Sequence, residues 1–406
     1  MKCRSCGHEL TDVFLDLGTA PPSNAFVSAS SLSAPEVYFP LKLFTCDACH
    51  LVQVDEVQSH DSIFNDDYVY FSSYSRSWLE HAKAYVSTAI ERLGLGPESL
   101  VIEVASNDGY LLQYVRQAGI PCVGIEPTAS TAEASRGKGI DTIGEFFTRA
   151  FATSFVQSRG HADLMVANNV LAHVPDIHDF VAGFAITLAA TGTATFEFPH
   201  LLALVEQHQF DTVYHEHFSY LSLHAVERIF TAHDLEIWDV EELPTHGGSL
   251  RIWAGHTGAR KIASSVVRLR ERERVAGMLD MPFYHGFQEK ADEVKHRFLR
   301  FLLDCRREGK RVGAYGAAAK GNTLINYAGV KPDLLGYIVD ASPHKQGRWL
   351  PGSRIPVVDI EHLKADRPDY VIILPWNLRS EIINNLAYIR DWGGKFVTFI
   401  PDTKID

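Results

Sequence analysis

The sequence lacks an apolar segment long enough to span a membrane. No apolar run among its 406 residues approaches the about 18 to 20 residues needed to cross a bilayer. The first eight residues, Met-Lys-Cys-Arg-Ser-Cys-Gly-His, have no apolar core of the kind that a signal peptide needs. We therefore expect a cytoplasmic protein with no membrane partner.

Positive charge is also in deficit. The chain has 38 Lys and Arg residues against 50 Asp and Glu residues, which gives a net charge of −12. This balance argues against a broad nucleic-acid-binding surface, so we expect no nucleic-acid partner, although a local basic patch is compatible with it. Hydrophobic residues at 46% and charged residues at 22% are typical of globular proteins and exclude a disordered chain. At about 150 residues per domain, the length predicts two or three domains.

Cysteine is scarce, but its spacing is informative. Four of the six cysteines form two Cys-x-x-Cys pairs: Cys3, Cys6, Cys46 and Cys49. Two such pairs suit tetrahedral zinc, because each pair turns tightly and presents two thiolates about 2.3 Å from one ion. The alternative is two unrelated redox or chance pairs. We predict a structural zinc site with no open coordination position, holding together a segment that is otherwise poor in hydrophobic core.

The pattern along the chain predicts an α/β protein in three parts, over residues 1–75, 76–260 and 261–406. A helix is expected at about 77–93, ending at Gly94. After it, strands alternate with helices, which indicates a parallel sheet. Two later segments, 236–240 and 249–253, are expected to close that sheet as an antiparallel pair. Residues 257–310 have a helical pattern, and a second α/β unit begins at residue 311.

A turn with two acids follows the first predicted strand of the central part. Residues 103–109 read Glu-Val-Ala-Ser-Asn-Asp-Gly and lack the three-glycine fingerprint of a dinucleotide fold. Glu103 and Asp108 would repel a pyrophosphate but attract a cationic ligand that carries an amino acid. Glu126 ends the next strand, where a carboxylate usually accepts hydrogen bonds from two ribose hydroxyls. This order of acids fits S-adenosylmethionine better than NAD; the alternative is a helix-capping Asp108 and an incidental Glu126.

Two further groups of polar residues are expected at the same edge of the sheet. Asn168 and Asn169 end another strand and are followed by His173, which would line the methyl-donor end of the pocket. Residues 214–217 read Tyr-His-Glu-His, among 19 histidines in the chain. Histidine supplies a general base near neutral pH without much tuning. The alternatives are a metal site, which lacks a clear third ligand, and a cluster of buried, hydrogen-bonded polar residues.

Taken together, these motifs resemble one family. The two Cys-x-x-Cys pairs are followed in order by Glu-Val-Ala-Ser-Asn-Asp-Gly at 103–109, Asn-Val-Leu-Ala-His-Val at 169–174 and Tyr-His-Glu-His at 214–217. His-Gly-Gly-Ser at 246–249 and Tyr-Gly-Ala-Ala-Ala-Lys-Gly at 315–321 complete the set. Over essentially its whole length the chain resembles the S-adenosylmethionine-dependent sugar C-methyltransferases of the tetronitrose and mycarose type.

The resemblance implies three domains: a zinc-binding module, a class I S-adenosylmethionine methyltransferase domain and a second Rossmann-like domain. It implies methylation of carbon 3 of a 4-keto deoxysugar linked to dTDP, as in antibiotic biosynthesis. His217 would be the base, with Tyr214, Glu216 and His173 beside it. The residues expected to bind the cofactor are Glu103, Ala105, Asn107, Asp108, Gly109, Glu126, Asn168, Asn169, Tyr70 and Ser72. Those expected to bind the nucleotide sugar are His246, Lys320, Asn322, Trp376 and Asn377.

Three other functions compete with this one. An NAD-dependent oxidoreductase would use residues 313–321 as a dinucleotide loop and Asp340, which ends the next strand, as the ribose-binding acid. The glycine spacing is wrong for that loop, and Lys320 suits phosphate binding without redox chemistry. A non-enzymatic zinc-ribbon scaffold or nucleic-acid binder is opposed by the acidic net charge. An O-methyltransferase would need a base near a hydroxyl and no enolate.

Overall fold

The computed structural model describes residues 1–57 and 71–406, and every helix in those two ranges is too short or too polar to cross a lipid bilayer. In chain order the strands are β1 (Asp12–Ala20), β2 (Phe39–Thr45), β3 (Val52–Val54), β4 (Val101–Val104), β5 (Cys122–Ile125), β6 (Asp141–Ile143), β7 (Ala162–Asn168), β8 (Leu188–Pro199), β9 (Ser219–Tyr220), β10 (Leu235–Leu243), β11 (Ser249–His256), β12 (Val312–Tyr315), β13 (Ile338–Val339), β14 (Val357–Val358), β15 (Tyr370–Ile373), β16 (Lys395–Thr398) and β17 (Lys404–Ile405). The α-helices are α1 (Arg76–Leu93), α2 (Leu112–Gln117), α3 (Ala129–Gly137), α4 (Arg149–Arg159), α5 (Ile177–Thr187), α6 (Leu201–Glu206), α7 (Leu223–Thr231), α8 (Ser264–Ala276), α9 (Phe287–Arg307), α10 (Ala319–Ala328), α11 (Ile360–Asp366) and α12 (Arg379–Asn385).

The N-terminal residues form an antiparallel sheet that includes one strand from the central part of the chain. The strand order is β1-β2-β3-β9, and β9 pairs with β3 through Tyr220 opposite Val52. Apolar side chains of this sheet, such as Phe14 and Leu43, are buried in one cluster with residues of α9 and of the C-terminal sheet. The expectation that this segment is poor in core is therefore wrong, because its sheet packs on the C-terminal part of the chain.

The central sheet has seven strands in the order β10-β11-β8-β7-β4-β5-β6. Its strands are parallel except for β11, which runs antiparallel to both β8 and β10. This confirms the predicted alternation of strands and helices and the predicted antiparallel closing pair. From β4 the chain continues to β5 and β6 on one side and then to β7 on the other. The strand order therefore reverses between β4 and β7, which is where open α/β sheets bind ligands.

The C-terminal sheet repeats this plan with six strands. Its order is β14-β13-β12-β15-β16-β17, parallel except for the last strand. Here the order reverses between β12 and β15, so the loops after those two strands flank the second switch point. Both units therefore place a loop-lined crevice at the carboxyl edge of a parallel sheet.

Helix α1 introduces the central domain and carries aromatic residues toward the crevice. The Ser75 hydroxyl accepts a hydrogen bond from the Trp78 amide, which caps the N-terminus, and Gly94 ends the helix in the left-handed conformation. The predicted helix at about 77–93 is thus confirmed to within a residue. The Trp78 ring stacks on His81 at a centroid distance of 4.9 Å and on Tyr110 at 5.9 Å.

Candidate active site

The turn after β4 has a backbone shaped for close approach by a ligand. Ala105 and Asn107 both have positive φ, at 54° and 50°, a conformation that non-glycine residues rarely adopt. At Gly109, φ is 74°, and a Cβ atom would lie 2.4 Å from Ile140 Cδ1, so only glycine fits there. The strain at two non-glycine positions indicates a turn held in place by its surroundings.

The acids of this turn are buried. Glu103 is 1% exposed. Burial raises the pKa of Glu103 well above its ordinary value, and the nearby acids Asp108 and Glu126 raise it further. The Tyr110 hydroxyl and the Leu112 amide are close enough to lower that pKa, but neither is well aligned as a donor to the Glu103 carboxylate oxygens. Asp108 forms an ion pair with Lys138 at 3.2 Å through Oδ2, while its Oδ1 has no partner in the described part of the chain. A buried, unsatisfied acidic surface of this kind favours a cationic ligand.

Glu126 connects the first two strands of this unit. Its Oε2 accepts a hydrogen bond from the Asn107 amide at 2.8 Å and its Oε1 accepts one from the Thr128 amide at 2.9 Å. The Ser72 amide donates to the Asn107 side chain at 2.9 Å, so the segment before α1 covers the same turn. Tyr70, also expected at the cofactor, lies outside the described residues.

Two asparagines end β7 on the other side of the switch point. The Asn168 amide lies 3.5 Å from the Tyr110 hydroxyl, and its Oδ1 is buried without a described donor. Asn169 has a positive φ of 56°, and its side-chain amide lies 3.3 Å from His246 Nε2. The structure thus brings residues 103–109, Asn168 and Asn169 to one crevice, with polar groups available to a ligand.

His217 lies in a buried cluster of aromatic rings. Its centroid is 4.1 Å from that of Tyr214 and 4.5 Å from that of His173. His217 Nδ1 lies 3.2 Å from the Thr212 carbonyl oxygen. Because a carbonyl only accepts, Nδ1 carries the proton and Nε2 keeps its lone pair. Burial, together with the His173 imidazole, holds the pKa of His217 well below its ordinary value, so the ring is neutral at physiological pH.

The other two residues of the Tyr-His-Glu-His motif face the N-terminal domain. The Glu216 carboxylate accepts a hydrogen bond from the Asn24 side chain at 2.8 Å, and burial raises its pKa. His215 Nε2 lies 3.2 Å from the Pro40 carbonyl oxygen. The contacts recorded for Glu216 therefore connect the motif to the N-terminal sheet, whereas Tyr214 and His173 surround His217.

The candidate substrate residues meet across the central and C-terminal parts of the chain. The Lys320 ammonium lies 3.3 Å from the His246 carbonyl oxygen, 3.4 Å from Asn377 Oδ1 and 4.6 Å from the centroid of the Trp376 ring. Burial lowers the pKa of Lys320 to about 8 and that of His246 to about 4. Asn322, one turn into α10, is buried and accepts a hydrogen bond from Asn326 at 3.0 Å, so it stabilises the helix.

A charged network under this crevice escaped the sequence analysis. Glu197, fully buried at the end of β8, accepts hydrogen bonds from Arg251 at 2.7 Å and Thr245 at 2.8 Å and lies 2.8 Å from His81 Nε2. Burial alone would raise the pKa of Glu197, but His81 and Arg251 hold it below its ordinary value. The network fixes the turn that carries His246. Its sequence signal is the presence of an acid in an otherwise uncharged strand.

The four paired cysteines converge as predicted. All four sulfur atoms lie within 4.8 Å of one another, with Cys3 and Cys49 at 3.5 Å and Cys6 and Cys46 at 3.5 Å. A tetrahedron of sulfurs around zinc has edges of about 3.8 Å for bonds of about 2.3 Å, so the set fits a four-thiolate site. The Gln53 amide donates to Cys3 Sγ at 3.2 Å and orients that ligand.

Comparisons with known proteins agree with this geometry. The chain matches family models described as a zinc binding domain over residues 3–64, a methyltransferase domain over 78–240 and a C-methyltransferase C-terminal domain over 244–401. It is 32% identical over 405 residues to the C-methyltransferase NovU of Streptomyces niveus, covering 100% of this chain and 96% of that protein.

The solved structures that the chain matches have low sequence identity to it and low TM-scores. Magnesium protoporphyrin IX methyltransferase of Synechocystis, determined with bound SAM, is 13% identical with a TM-score of 0.37 and covers 50% of this chain and 100% of its own. A chain from the complex of the Haloferax volcanii Trm112 methyltransferase activator with a methyltransferase is 11% identical with a TM-score of 0.38, over 46% and 94% of the two chains.

Proposed function

The chain belongs to the family of C-methyltransferases that carry a zinc binding domain, and from this membership we propose that it transfers the methyl group of S-adenosylmethionine to carbon 3 of a dTDP-linked 4-keto deoxysugar. The observation that carries the proposal is the position of His217. It is a buried neutral imidazole whose Nδ1 is bonded to the Thr212 carbonyl, packed against His173 and within range of the charges of His246 and Lys320. A base in that position suits removal of a proton from a carbon next to a ketone.

The acidic crevice is the part of the chain that would bind S-adenosylmethionine, which supplies an electrophilic methyl group on a sulfonium. Glu103 and Asp108 would face its positive charges, and Glu126 would accept hydrogen bonds from the ribose hydroxyls with the lone pairs that the amides leave free. Ala105, Asn107 and Gly109 shape the backbone around it. Asn168 and Asn169 would line the end nearest the base, and we retain Tyr70 and Ser72 as candidate cofactor residues.

The chemistry begins with a proton transfer to His217. The carbon–hydrogen bond at carbon 3 breaks, the proton passes to Nε2, and the electron pair delocalises onto the ketone oxygen as an enolate. In the imidazolium that forms, the Nδ1–H continues to donate its hydrogen bond to the Thr212 carbonyl oxygen. Tyr214, whose ring lies against His217, is the candidate donor to the enolate oxygen, and stabilisation of this kind is often the largest contribution to catalysis. The enolate carbon would then form a bond to the methyl group as the sulfur–methyl bond breaks, so that the bonding pair stays on sulfur and S-adenosylhomocysteine leaves.

His173 and Glu216 have supporting places in this scheme. Burial lowers the pKa of His173 to about 4, so its ring is neutral and adds no positive charge beside the base. Glu216 connects the catalytic loop to Asn24 of the N-terminal domain. We assign Glu216 to positioning of the loop, because its carboxylate is bonded away from the His217 ring.

The second α/β unit would bind the nucleotide sugar. Lys320 and the N-terminus of α10 offer positive charge for a diphosphate, with Asn377, Trp376 and His246 around them. Asn322 would act by stabilising that helix. We propose the division into residues 1–75, 76–260 and 261–406 for the zinc, methyl-donor and nucleotide-sugar domains, and a cytoplasmic location where both diffusible ligands occur.

The experiment that tests the proposal uses a dTDP-linked 4-keto deoxysugar deuterated at carbon 3. We expect the methylated product to have lost the deuterium, measured by mass spectrometry and NMR. A methylated product that retains the deuterium would show oxygen as the acceptor and overturn the proposal in favour of O-methylation. Without a methyl donor, exchange of the same position with solvent would report the proton transfer alone, and the His217→Gln variant is its control.

A binding measurement addresses the oxidoreductase alternative. In the second unit, both oxygens of Asp340 accept backbone hydrogen bonds, from Ala317 and Ser342, each at 2.8 Å, and Lys345 lies 3.6 Å away. We expect calorimetry to detect S-adenosylhomocysteine binding and no NAD binding. Binding of NAD at micromolar concentration would contradict the assignment of this unit to a nucleotide sugar.

A further inference from the structure

A tryptophan is wedged between the central and C-terminal parts of the chain. A Cβ atom on Gly247 would lie 2.3 Å from Trp376 Cη2, so the ring fits there only because position 247 is glycine, with φ at 90°. Gln209 donates to the Gly247 carbonyl at 2.6 Å and holds the turn against the ring. The Trp376 indole is therefore fixed in place, and the groups around it have defined positions relative to one another.

Asp211 lies at the edge of this indole and belongs to none of the roles described so far. Its side chain is 1% exposed, and its Oδ2 accepts a hydrogen bond from the Trp376 indole N–H at 2.8 Å. Its Oδ1 is buried with no hydrogen-bond partner in residues 1–57 and 71–406. A buried carboxylate with a free oxygen is costly unless a cation is near, so its retention calls for a reason.

The nearest such reason is Lys320, which lies over the face of the same indole. Lys320 is half-buried, and Asp211 is the acid whose charge acts on its ammonium. Conversely, Lys320 is the cation whose charge acts on Asp211. The carboxylate and the ammonium thus flank one rigid ring, with the ammonium pointing toward the His246 carbonyl and the Asn377 side chain.

We propose that Asp211 is the counter-ion that keeps Lys320 charged in the ligand-free cleft, and that Asp211 takes up a proton when an anionic diphosphate replaces it as the partner of Lys320. The inference rests on the proposed nucleotide-sugar substrate. Asp211 acts through Lys320 and is a positioning residue. Protonation of Asp211 adapts the site to a ligand that brings two negative charges, because the charge of such a ligand makes the anionic form of the buried carboxylate unfavourable.

Other titratable groups near Asp211 and Lys320 also respond to the positive charge of Lys320. Besides Asp211, the charge of Lys320 acts on His217 and on His246 of the 3-10 turn Thr245–Gly247. Burial is the main cause that lowers the pKa of both imidazoles, and Lys320 lowers it further. Burial raises the pKa of Asp211 to about 6, against the opposing effects of Lys320 and the Trp376 N–H. A diphosphate placed beside Lys320 would raise the pKa of Asp211 further. Binding at neutral pH would therefore be accompanied by transfer of a proton from solvent to Asp211.

Calorimetric titration with dTDP-glucose tests this. This nucleotide sugar has no ketone and no phosphate group that titrates near neutrality, so it binds without reacting. Titrations at about pH 7 in two buffers of different ionisation enthalpy give the number of protons taken up. We expect about 0.5 to 1 proton for the wild type. The part of this proton uptake that depends on Asp211 should be lost in the Asp211→Asn variant, which keeps the shape of the side chain and a hydrogen-bond acceptor. Asp402→Asn, an exposed acid paired with Arg297, is the matched control.

Infrared spectroscopy on the ligand-free protein separates this inference from the substrate proposal. The carboxylic-acid carbonyl band that Asp211→Asn removes should grow in as pH falls through about 6. In Lys320→Met it should appear at higher pH, because the compensating cation is gone. Failure of the wild type to bind dTDP-glucose would count against the substrate alone. Equal proton uptake in Asp211→Asn and wild type, or a band unmoved by Lys320→Met, would overturn the role of Asp211.

Discussion

The central and C-terminal α/β units place a carboxylate at the same position, the end of the second strand. In the central unit, Glu126 accepts hydrogen bonds from the amide two residues later and from Asn107 in the loop after the first strand. In the C-terminal unit, Asp340 accepts from the amide two residues later and from Ala317 in the loop after its first strand. The two crevices therefore share one backbone scheme that fixes the first loop against the second strand.

The two units differ in the sign of the charge around that scheme. The central unit buries Glu103 at the end of β4 and Asp108 in the loop that follows, whereas the C-terminal unit places the half-buried Lys320 at the start of α10, and its Asp340 carboxylate is balanced by Lys345. Since the backbone arrangement is shared, the ligand class depends on these few side chains. One crevice suits a cation and the other an anion, and His217 is the base that we propose to act between their two ligands. Four predictions test that division, in decreasing order of expected effect.

The largest effect is expected at the proposed base. His217→Gln should lower kcat by about 10²- to 10⁴-fold, because it removes the general base. Neither crevice loses a ligand-binding charge, so affinities for S-adenosylhomocysteine and dTDP-glucose should stay within about threefold of wild type. Rapid-quench assays measure kcat, and calorimetry measures the affinities for the two ligands. Full turnover in this variant would assign the base to another residue.

Lys320→Met should act on one crevice only. Loss of a half-buried charged donor is expected to weaken dTDP-glucose binding by about 10- to 100-fold and leave S-adenosylhomocysteine binding unchanged. Lys310→Met, which removes an exposed lysine paired with Asp369, is the control. Equal weakening of both ligands would mean that the two crevices do not act separately.

Glu103→Gln is the reciprocal change. It should weaken S-adenosylmethionine binding by about tenfold with no effect on dTDP-glucose, because one favourable charge in the acidic crevice is lost. The variant should also melt at an equal or higher temperature, since a buried carboxylate without aligned donors is replaced by a neutral amide. Glu361→Gln, on an exposed helix, controls for the loss of one negative charge. A lower melting temperature would show that Glu103 is compensated in the ligand-free protein.

The smallest effect is expected from pH, with opposite directions for the two ligands. Because the pKa of Lys320 is about 8, deprotonation of Lys320 should by itself lower nucleotide-sugar affinity by about fourfold between about pH 7 and about pH 8.5, and the proton uptake proposed for Asp211 would steepen that fall. Because burial raises the pKa of Glu103, affinity for the methyl donor should fall as pH decreases. Calorimetry across pH measures both. Curves that move together would contradict the charge division.

The sequence was sufficient for features that depend on local pattern. Helix α1, the antiparallel pair β10 and β11, the four cysteines and most strands of both units follow from periodicity, caps and spacing, whereas the short strands β6, β14 and β17 were not predicted. The acids at the strand ends were found because open α/β sheets bind ligands at a known edge. Lys320 and Trp376, at the second edge, were candidates because of the resemblance to known methyltransferases.

Other features depend on contacts between distant residues and had no local signal. Strand β9 has two residues, which is too short for any periodicity, and its pairing with β3 is set by tertiary packing. Asp211 resembles any polar residue in a turn until Trp376 and Lys320 are placed beside it. The direction of Glu216 toward Asn24 likewise depends on how the N-terminal sheet docks.

The pairing of β9 with β3 has a consequence for protein engineering. Chimeras between relatives are usually cut at a linker, and the obvious cut here is near residue 75. Such a cut would separate β3 from β9, which begins at Ser219, two residues after His217. An exchanged N-terminal domain must therefore bring a β3 whose register matches the host's β9. A chimera should therefore take residues 210–220 and the N-terminal sheet from the same parent protein.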